Sequence, residues 1–123
     1  MSTMEIAKKL AALCQEGKNM EALDTLYAED AVSVEVMAGP GGDKETKGLA
    51  ALKGKNEWWS ANHEVHFASV TGPWPNGDQF IIGFNYDVTN KPSGNRMTMD
   101  EVGLFTVSDG KIVREEFFYD TGM

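Results

Sequence analysis

Three long runs of alternating side chains stand next to one another near the end of the chain, and they constrain its fold more than any other feature. Gln79–Thr89, Arg96–Val107 and Lys111–Asp120 are separated only by NKPSGN and SDG, which are turn sequences. Side chains alternate between the faces of a strand. Phe80, Ile82, Phe84, Tyr86 and Val88 therefore share one face of the first run. Met97, Met99, Gly103, Phe105 and Val107 share one face of the second, together with one acid, Glu101. Strands adjacent in sequence tend to pair, so an antiparallel meander is the simple solution. A fourth run, Glu64–Thr71, precedes them across GPWPNGD.

Upstream the period changes from two to that of a helix. Ser2-x-x-Glu5 is a capping box, opening a helix with Ile6, Leu10, Leu13 and Cys14 on one stripe, and Gly17 suits its C-terminal stop. Asn19 is placed to cap a second helix carrying Met20, Leu23, Leu26 and Tyr27. A strand from about Ala31 to Met37 follows, then the Gly-rich loop AGPGGDKETKG with Pro40. This loop lacks the GK[ST] ending of a phosphate loop, and whether it forms a lid is left open. Gly48–Asn62 reads as a third helix, with Leu49, Leu52, Trp58 and Trp59 on its apolar side and Gly54 weakening it. Helices come first and strands after, so the class is α+β: a curved sheet with helices over one face.

At 123 residues the chain suits one domain, spanning 1–123. No apolar run approaches the roughly 20 residues of a membrane helix, and MSTMEIAKKL is not a signal peptide. A net charge of −8 argues against nucleic acid and anionic membranes as partners. The lone Cys14 reads as a small buried hydrophobe and fits a reducing, cytoplasmic setting. Neither a metal nor a cofactor is expected: there is no Cys/His cluster, and His63 and His66 of NHEVH would point to opposite faces of a strand.

The candidate site residues follow from register. Pairing the apolar faces puts Val88 by Met97, Tyr86 by Met99 and Phe84 by Glu101, leaving Glu101 as the one carboxylate on a greasy face. Ser108-Asp109-Gly110 fits a three-residue loop with a bulge. That places Phe105 by Val113, Gly103 by Glu115 and Glu101 by Phe117, with Tyr119 on the same face and room beside Glu115 where Gly103 lacks a side chain. A two-residue loop would expose Glu115 and bury Glu116 instead. A carboxylate held in an apolar site has a raised pKa and suits acid–base work. In YAEDAVSVEV, alternation alone would bury Val32, Val34 and Val36 and expose Ser33 and Glu35. Trp58 and Trp59 cannot both face the core, so one packs and the other lines a pocket mouth or a dimer contact. His63 sits at a helix end, where it suits the last carbonyls. Tyr27 is expected to pack where the second helix meets the sheet.

The order helix–helix–LYAEDAVSVEV–helix–long strands–DGKIVREEFFY resembles the nuclear transport factor 2-like superfamily. Within it the chain is similar to the SnoaL-like group, related to polyketide cyclases and ketosteroid isomerases. The resemblance spans essentially the whole chain. It implies a cone, in which a strongly curved antiparallel sheet wraps around three N-terminal helices (a cystatin-like α+β roll) and leaves a deep, mostly apolar pocket. It also implies a homodimer through the sheet, which Ile81, Val102, Leu104, Ile112 and Phe118 on the opposite strand face fit. Carried over from YAEDA, Glu35 falls where ketosteroid isomerases hold their aspartate general base, and this turns it toward the pocket. The isomerase's oxyanion-binding tyrosine falls on Leu10 and its protonated aspartic acid near Gly103, so both donors are missing. Loss of even one such donor costs about a hundred- to a thousandfold in rate, and steroid isomerisation as known is not expected.

The resulting expectation is a cofactor-free isomerase, cyclase or lyase acting on a neutral, apolar carbonyl compound, with Glu35 and Glu101 catalytic. Glu115, Tyr119, Trp58, Trp59, His63, Phe84, Met99, Phe105 and Phe117 are expected to bind the ligand. Several acids in one pocket disfavour an anionic substrate and suit a cation. The alternatives are a non-catalytic ligand-binding domain and, with less support, a protein-interaction module.

Overall fold

The computed structural model describes residues 1–38 and 42–120. Pro40 and the glycines beside it in the loop lie outside the described residues. The order of elements is α1 (Thr3–Gln15), α2 (Asn19–Leu26), β1 (Tyr27–Val34), β2 (Glu45–Lys47), α3 (Leu49–Asn62), β3 (His63–Asn76), β4 (Gln79–Asn90), β5 (Arg96–Ser108) and β6 (Lys111–Phe118). Helix α1 starts at the expected capping box: the Ser2 side chain accepts from the Glu5 N–H and the Glu5 side chain from the Ser2 N–H. It ends beside Gly17, at φ +73°. Helix α2 is not capped by Asn19; Lys18 takes the cap position with no side-chain bond. Among the described residues no helix is long and apolar enough to cross a membrane.

One six-stranded sheet runs in the order β2-β1-β6-β5-β4-β3. It is curved and mixed rather than wholly antiparallel, because β1 pairs with β6 in parallel. The expected meander holds for β4 to β6, and β3 extends it by pairing antiparallel with β4. β3 is longer than expected, running through GPWP, with a register irregularity between Thr71 and Trp74 and a cis Gly72–Pro73 bond; the turn is Gly77-Asp78. The Gly-rich loop is not wholly irregular either, since it contains the short edge strand β2, paired antiparallel to β1.

The β4–β5 register is the expected one: Val88 faces Met97, Tyr86 faces Met99 and Phe84 faces Glu101. The β5–β6 hairpin corrects the expectation. Its loop is the two residues Asp109 and Gly110, at φ 50° and 74°, a backbone sense that matches the right-handed twist of the strands. The bulge lies inside the strand instead: Val107 pairs with Ile112, but Thr106 pairs with Arg114. Val113 is the extra residue, and it reverses the alternation. Ile112 and Glu115 both turn inward as a result, at 0% and 6% exposure. Ile112 is thus in the core, not on the outer face with Ile81, Val102 and Phe118.

The core lies between α1, α2, α3 and the inner sheet face, where Ile6, Leu10, Leu26, Leu52, Phe80, Ile82 and Phe105 are buried. Burying each such side chain stabilises the fold by roughly 1.5–3 kcal/mol. Phe105 faces Glu115 and Gly103 faces Phe117, a shift of one pair from expectation. Gly103 leaves no room beside Glu115: a Cβ there would lie 2.7 Å from the Phe105 ring and 3.2 Å from that of Phe117. At the free edge of β3, the Gln15 side chain donates to the Ala68 carbonyl at 3.1 Å and accepts from the Val70 N–H at 2.9 Å.

Candidate functional site

The helices and the inner sheet face enclose a cavity of about 930 Å3. Its apolar wall comes from the strand faces predicted from alternation, with Phe84, Met99, Phe105 and Phe117 all lining it. Phe105 and Phe117 meet edge to face at 6.1 Å, and Phe84 and Phe117 are 6.4 Å apart. Trp58 and Trp59 both line the cavity, Trp58 from an exposed position. Trp59 stacks on His63 at 4.3 Å, and His63 Nδ1 donates to the Trp59 carbonyl at 2.8 Å. His63 therefore holds the end of α3 from behind and is not among the lining residues. Glu35, Glu101, Glu115 and Tyr119 are all lining residues, so every other residue singled out from the sequence converges here.

β1 turns the opposite way from its alternation. Val32 and Val34 are half-buried on the outer side, while Ser33 is completely buried on the inner side. The pairing with β6 explains this, because Ser33 lies beside Glu115. Ser33 Oγ donates to Glu115 Oε2 at 2.7 Å, and the Tyr27 hydroxyl donates to Glu115 Oε1. Tyr27 does pack where α2 meets the sheet, but its hydroxyl is committed to this acid. A buried polar side chain with its partners in place is tolerated where an unpaired one is not. Glu35 lies just past β1, its N–H bonded to the Lys44 carbonyl at 2.9 Å, and points along the same side.

The residue that sequence reasoning missed is Lys55. Its ammonium donates to Ser33 Oγ at 2.6 Å and to Glu35 Oε1 at 3.0 Å, and lies 5.5 Å from the centre of the Phe117 ring. The signal was present: Leu52, Lys55 and Trp59 fall three and seven apart, on one side of α3. A continuous chain results, from Tyr27 through Glu115, Ser33 and Lys55 to Glu35.

The carboxyls differ in electrostatics. Burial pushes Glu115 up from the ordinary range, while the Tyr27 and Ser33 hydroxyls and Lys55 pull it back. Burial pushes Glu101 up to about 7, helped by the Glu35 charge and opposed by Lys55. Glu101 has no hydrogen-bond donor among the described residues. Burial also raises Tyr27 well above its ordinary value, ahead of the Glu115 charge, and raises Tyr119, ahead of the charges of Glu35 and Glu101. Cys14, beside the cavity, is pushed up to about 12, chiefly by burial, and is a poor nucleophile. Among the described residues no group of three or more His, Cys, Asp or Glu is placed to hold a metal ion.

The model of the SnoaL-like domain matches residues 1–119. The chain belongs to the SnoaL-like family. Among solved structures, a candidate SnoaL-like polyketide cyclase of Mesorhizobium loti is 49% identical, with a TM-score of 0.91 over 97% of this chain and 100% of that one. A hypothetical protein of Catenulispora acidiphila with a ketosteroid isomerase-like fold, solved in complex with trimethylamine, is 25% identical, with a TM-score of 0.74 over 98% and 88% of the two chains. A candidate isomerase of Bacillus subtilis is 22% identical, with a TM-score of 0.74 over 98% and 90%, and shares the fold. No curated protein matches the sequence. The SnoaL-like fold is thus the frame in which the Lys55–Glu115 chain and Glu101 are to be read.

Proposed function

We propose that this SnoaL-like protein is a cofactor-free enzyme that moves a proton next to a carbonyl group of a small, apolar ligand, as an isomerase, cyclase or lyase. The observation that carries the reading is Glu101: a carboxyl on an aromatic wall, facing Phe84 across the sheet, with its pKa near neutrality. A general base works best when its pKa lies near the working pH. Glu35, the other base expected from the sequence, is paired with the Lys55 ammonium at 3.0 Å and orients that lysine instead. Trp58, Trp59, Met99, Phe105, Phe117 and Tyr119 bind the apolar body of the ligand. The active form is a homodimer joined through the outer sheet face, where Ile81, Val102 and Phe118 are exposed. A reducing, cytoplasmic setting suits its single thiol.

The test is exchange of α-protons in deuterated buffer, followed by NMR on a panel of cyclic ketones and β-diketones. Wild-type protein should accelerate exchange, and Glu101→Gln should lose about a hundredfold or more of the acceleration. No acceleration on any member of the panel would favour the second reading, a non-catalytic pocket for a small amine. That reading is supported by the trimethylamine complex of the C. acidiphila protein and by the excess of acids over lysines in the cavity lining. Calorimetric titration with trimethylammonium tests it directly.

A further inference from the structure

Neither oxyanion donor expected of a ketosteroid isomerase-like site has a counterpart in this sequence, yet the cavity contains a fixed cation. The geometry points to Lys55 as a catalytic anion-holding group: it takes the oxygen of a neutral, enolisable carbonyl ligand and holds the enolate that forms there. This rests on the acid–base reading of Glu101.

An ammonium has three N–H donors. Two are used, on Ser33 Oγ at 2.6 Å and Glu35 Oε1 at 3.0 Å. The third has no hydrogen-bond acceptor among the described residues, the Phe117 ring lies 5.5 Å away, and Lys55 lines the cavity. The head group is held firmly. Ser33 gives its own proton to Glu115, so it presents only lone pairs to Lys55 and fixes the direction of that donor. Tyr27 fixes the other Glu115 oxygen. Tyr27, Glu115 and Ser33 are positioning residues, which aim a preorganised charge without touching the ligand. Such fixed donors are worth far more in a water-poor cavity than in solution.

Charge balance narrows the ligand class. Five acids, Glu35, Asp43, Glu45, Glu101 and Glu115, line the cavity against two lysines, Lys44 and Lys55, so a preformed anion entering from solvent is repelled. An anion made inside the cavity is not. The Cα–H bond breaks, the proton goes to the Glu101 carboxylate, and the bonding pair moves through the new C=C bond onto the carbonyl oxygen. Glu101 becomes neutral as the oxygen becomes charged, and the total is unchanged. The pKa of Glu101, at about 7, suits that exchange. The site therefore selects neutral ligands whose acidity ends on oxygen, and rejects carboxylates.

The probe is 4-nitrophenol, which ionises near neutrality and absorbs in the visible only as the phenolate. It is titrated near neutrality, where Glu101 is partly a carboxylate able to take the phenol's proton and the free compound is still partly neutral. Wild-type protein should bind it with the phenolate band developed. Lys55→Met should lose the band and bind about tenfold more weakly, Lys55→Arg should retain the band, and Glu115→Gln should reduce it. The carboxylate 4-nitrobenzoate should bind about tenfold more weakly than the phenol, a difference of one decade in affinity. An unchanged band in Lys55→Met, binding only of the neutral phenol, tighter binding of the benzoate, or no saturable binding would each overturn the proposal. The assay involves no turnover, so a Lys55-dependent band without α-proton exchange would sink the Glu101 reading and leave the anion site standing.

Discussion

Glu101 and Glu115 project from the same sheet face and are handled in opposite ways. Glu115 is fully committed to Tyr27 and Ser33, whereas Glu101 is left to titrate. The sign of the pH effect follows. As pH rises above the ordinary value of 4.5, an unfolded Glu101 loses its proton while the folded one keeps it up to about 7. The native state binds more protons in that window, so stability falls as pH rises through it, and the raised Glu115 adds in the same direction. Glu101→Gln should make the fall shallower and raise the melting temperature at neutral pH; thermal melts across the window measure both. Tyr27→Phe should cost about 1–3 kcal/mol, the range for a buried group losing its partner. A double-mutant cycle with Glu115→Gln should recover much of that as coupling energy. Glu101 was legible because one acid breaks an otherwise apolar face. Lys55 was legible only as a position on the side of α3 shared with Leu52 and Trp59; a lysine there reads as a solvated charge until Ser33 on β1 and Glu35 just past it are in place.

At the level of elements, β6 shows how far alternation can be trusted. Its hairpin has the two-residue turn that by itself would have exposed Glu115, and the extra residue Val113 restores the inward face. Deleting Val113 should bring Glu116 to the core and expel Glu115. Loss of the near-ultraviolet signal of the packed aromatics, with Glu115 no longer bonded to Tyr27, is the expected outcome. Gly103→Ala should cost about 1–3 kcal/mol by overpacking, because its Cβ meets the Phe105 ring at 2.7 Å; chemical denaturation measures it. The helices, the four long strands and the β4–β5 register were readable from local patterns and turn residues. The parallel β1–β6 pairing was not, since nothing in a strand with two valines names a partner some eighty residues away. That pairing is what inverts β1 and brings Ser33 and Glu35 inward, against the direction that hydrophobicity alone suggests.

For the molecule as a whole, the outer sheet face has Trp74, Ile81, Val102 and Phe118 at 37–55% exposure. Exposed apolar groups gathered on one face call for cover. If two copies meet there, Val102→Lys with Phe118→Glu should convert a dimer to a monomer in sedimentation velocity, with the cavity aromatics undisturbed. Wild-type protein sedimenting as a monomer would remove that assembly. A face that pairs must not also pair along its margins, and here the clamp of Gln15 on β3 matters. β3 is the last strand of the sheet, and its outward amides would otherwise recruit another chain. The Gln15 amide occupies the Ala68 carbonyl and the Val70 N–H as an added strand would, and Pro73 and Pro75 farther along offer no N–H at all. One surface glutamine thus works as a chain terminator: it stops the sheet from templating its own extension into fibres.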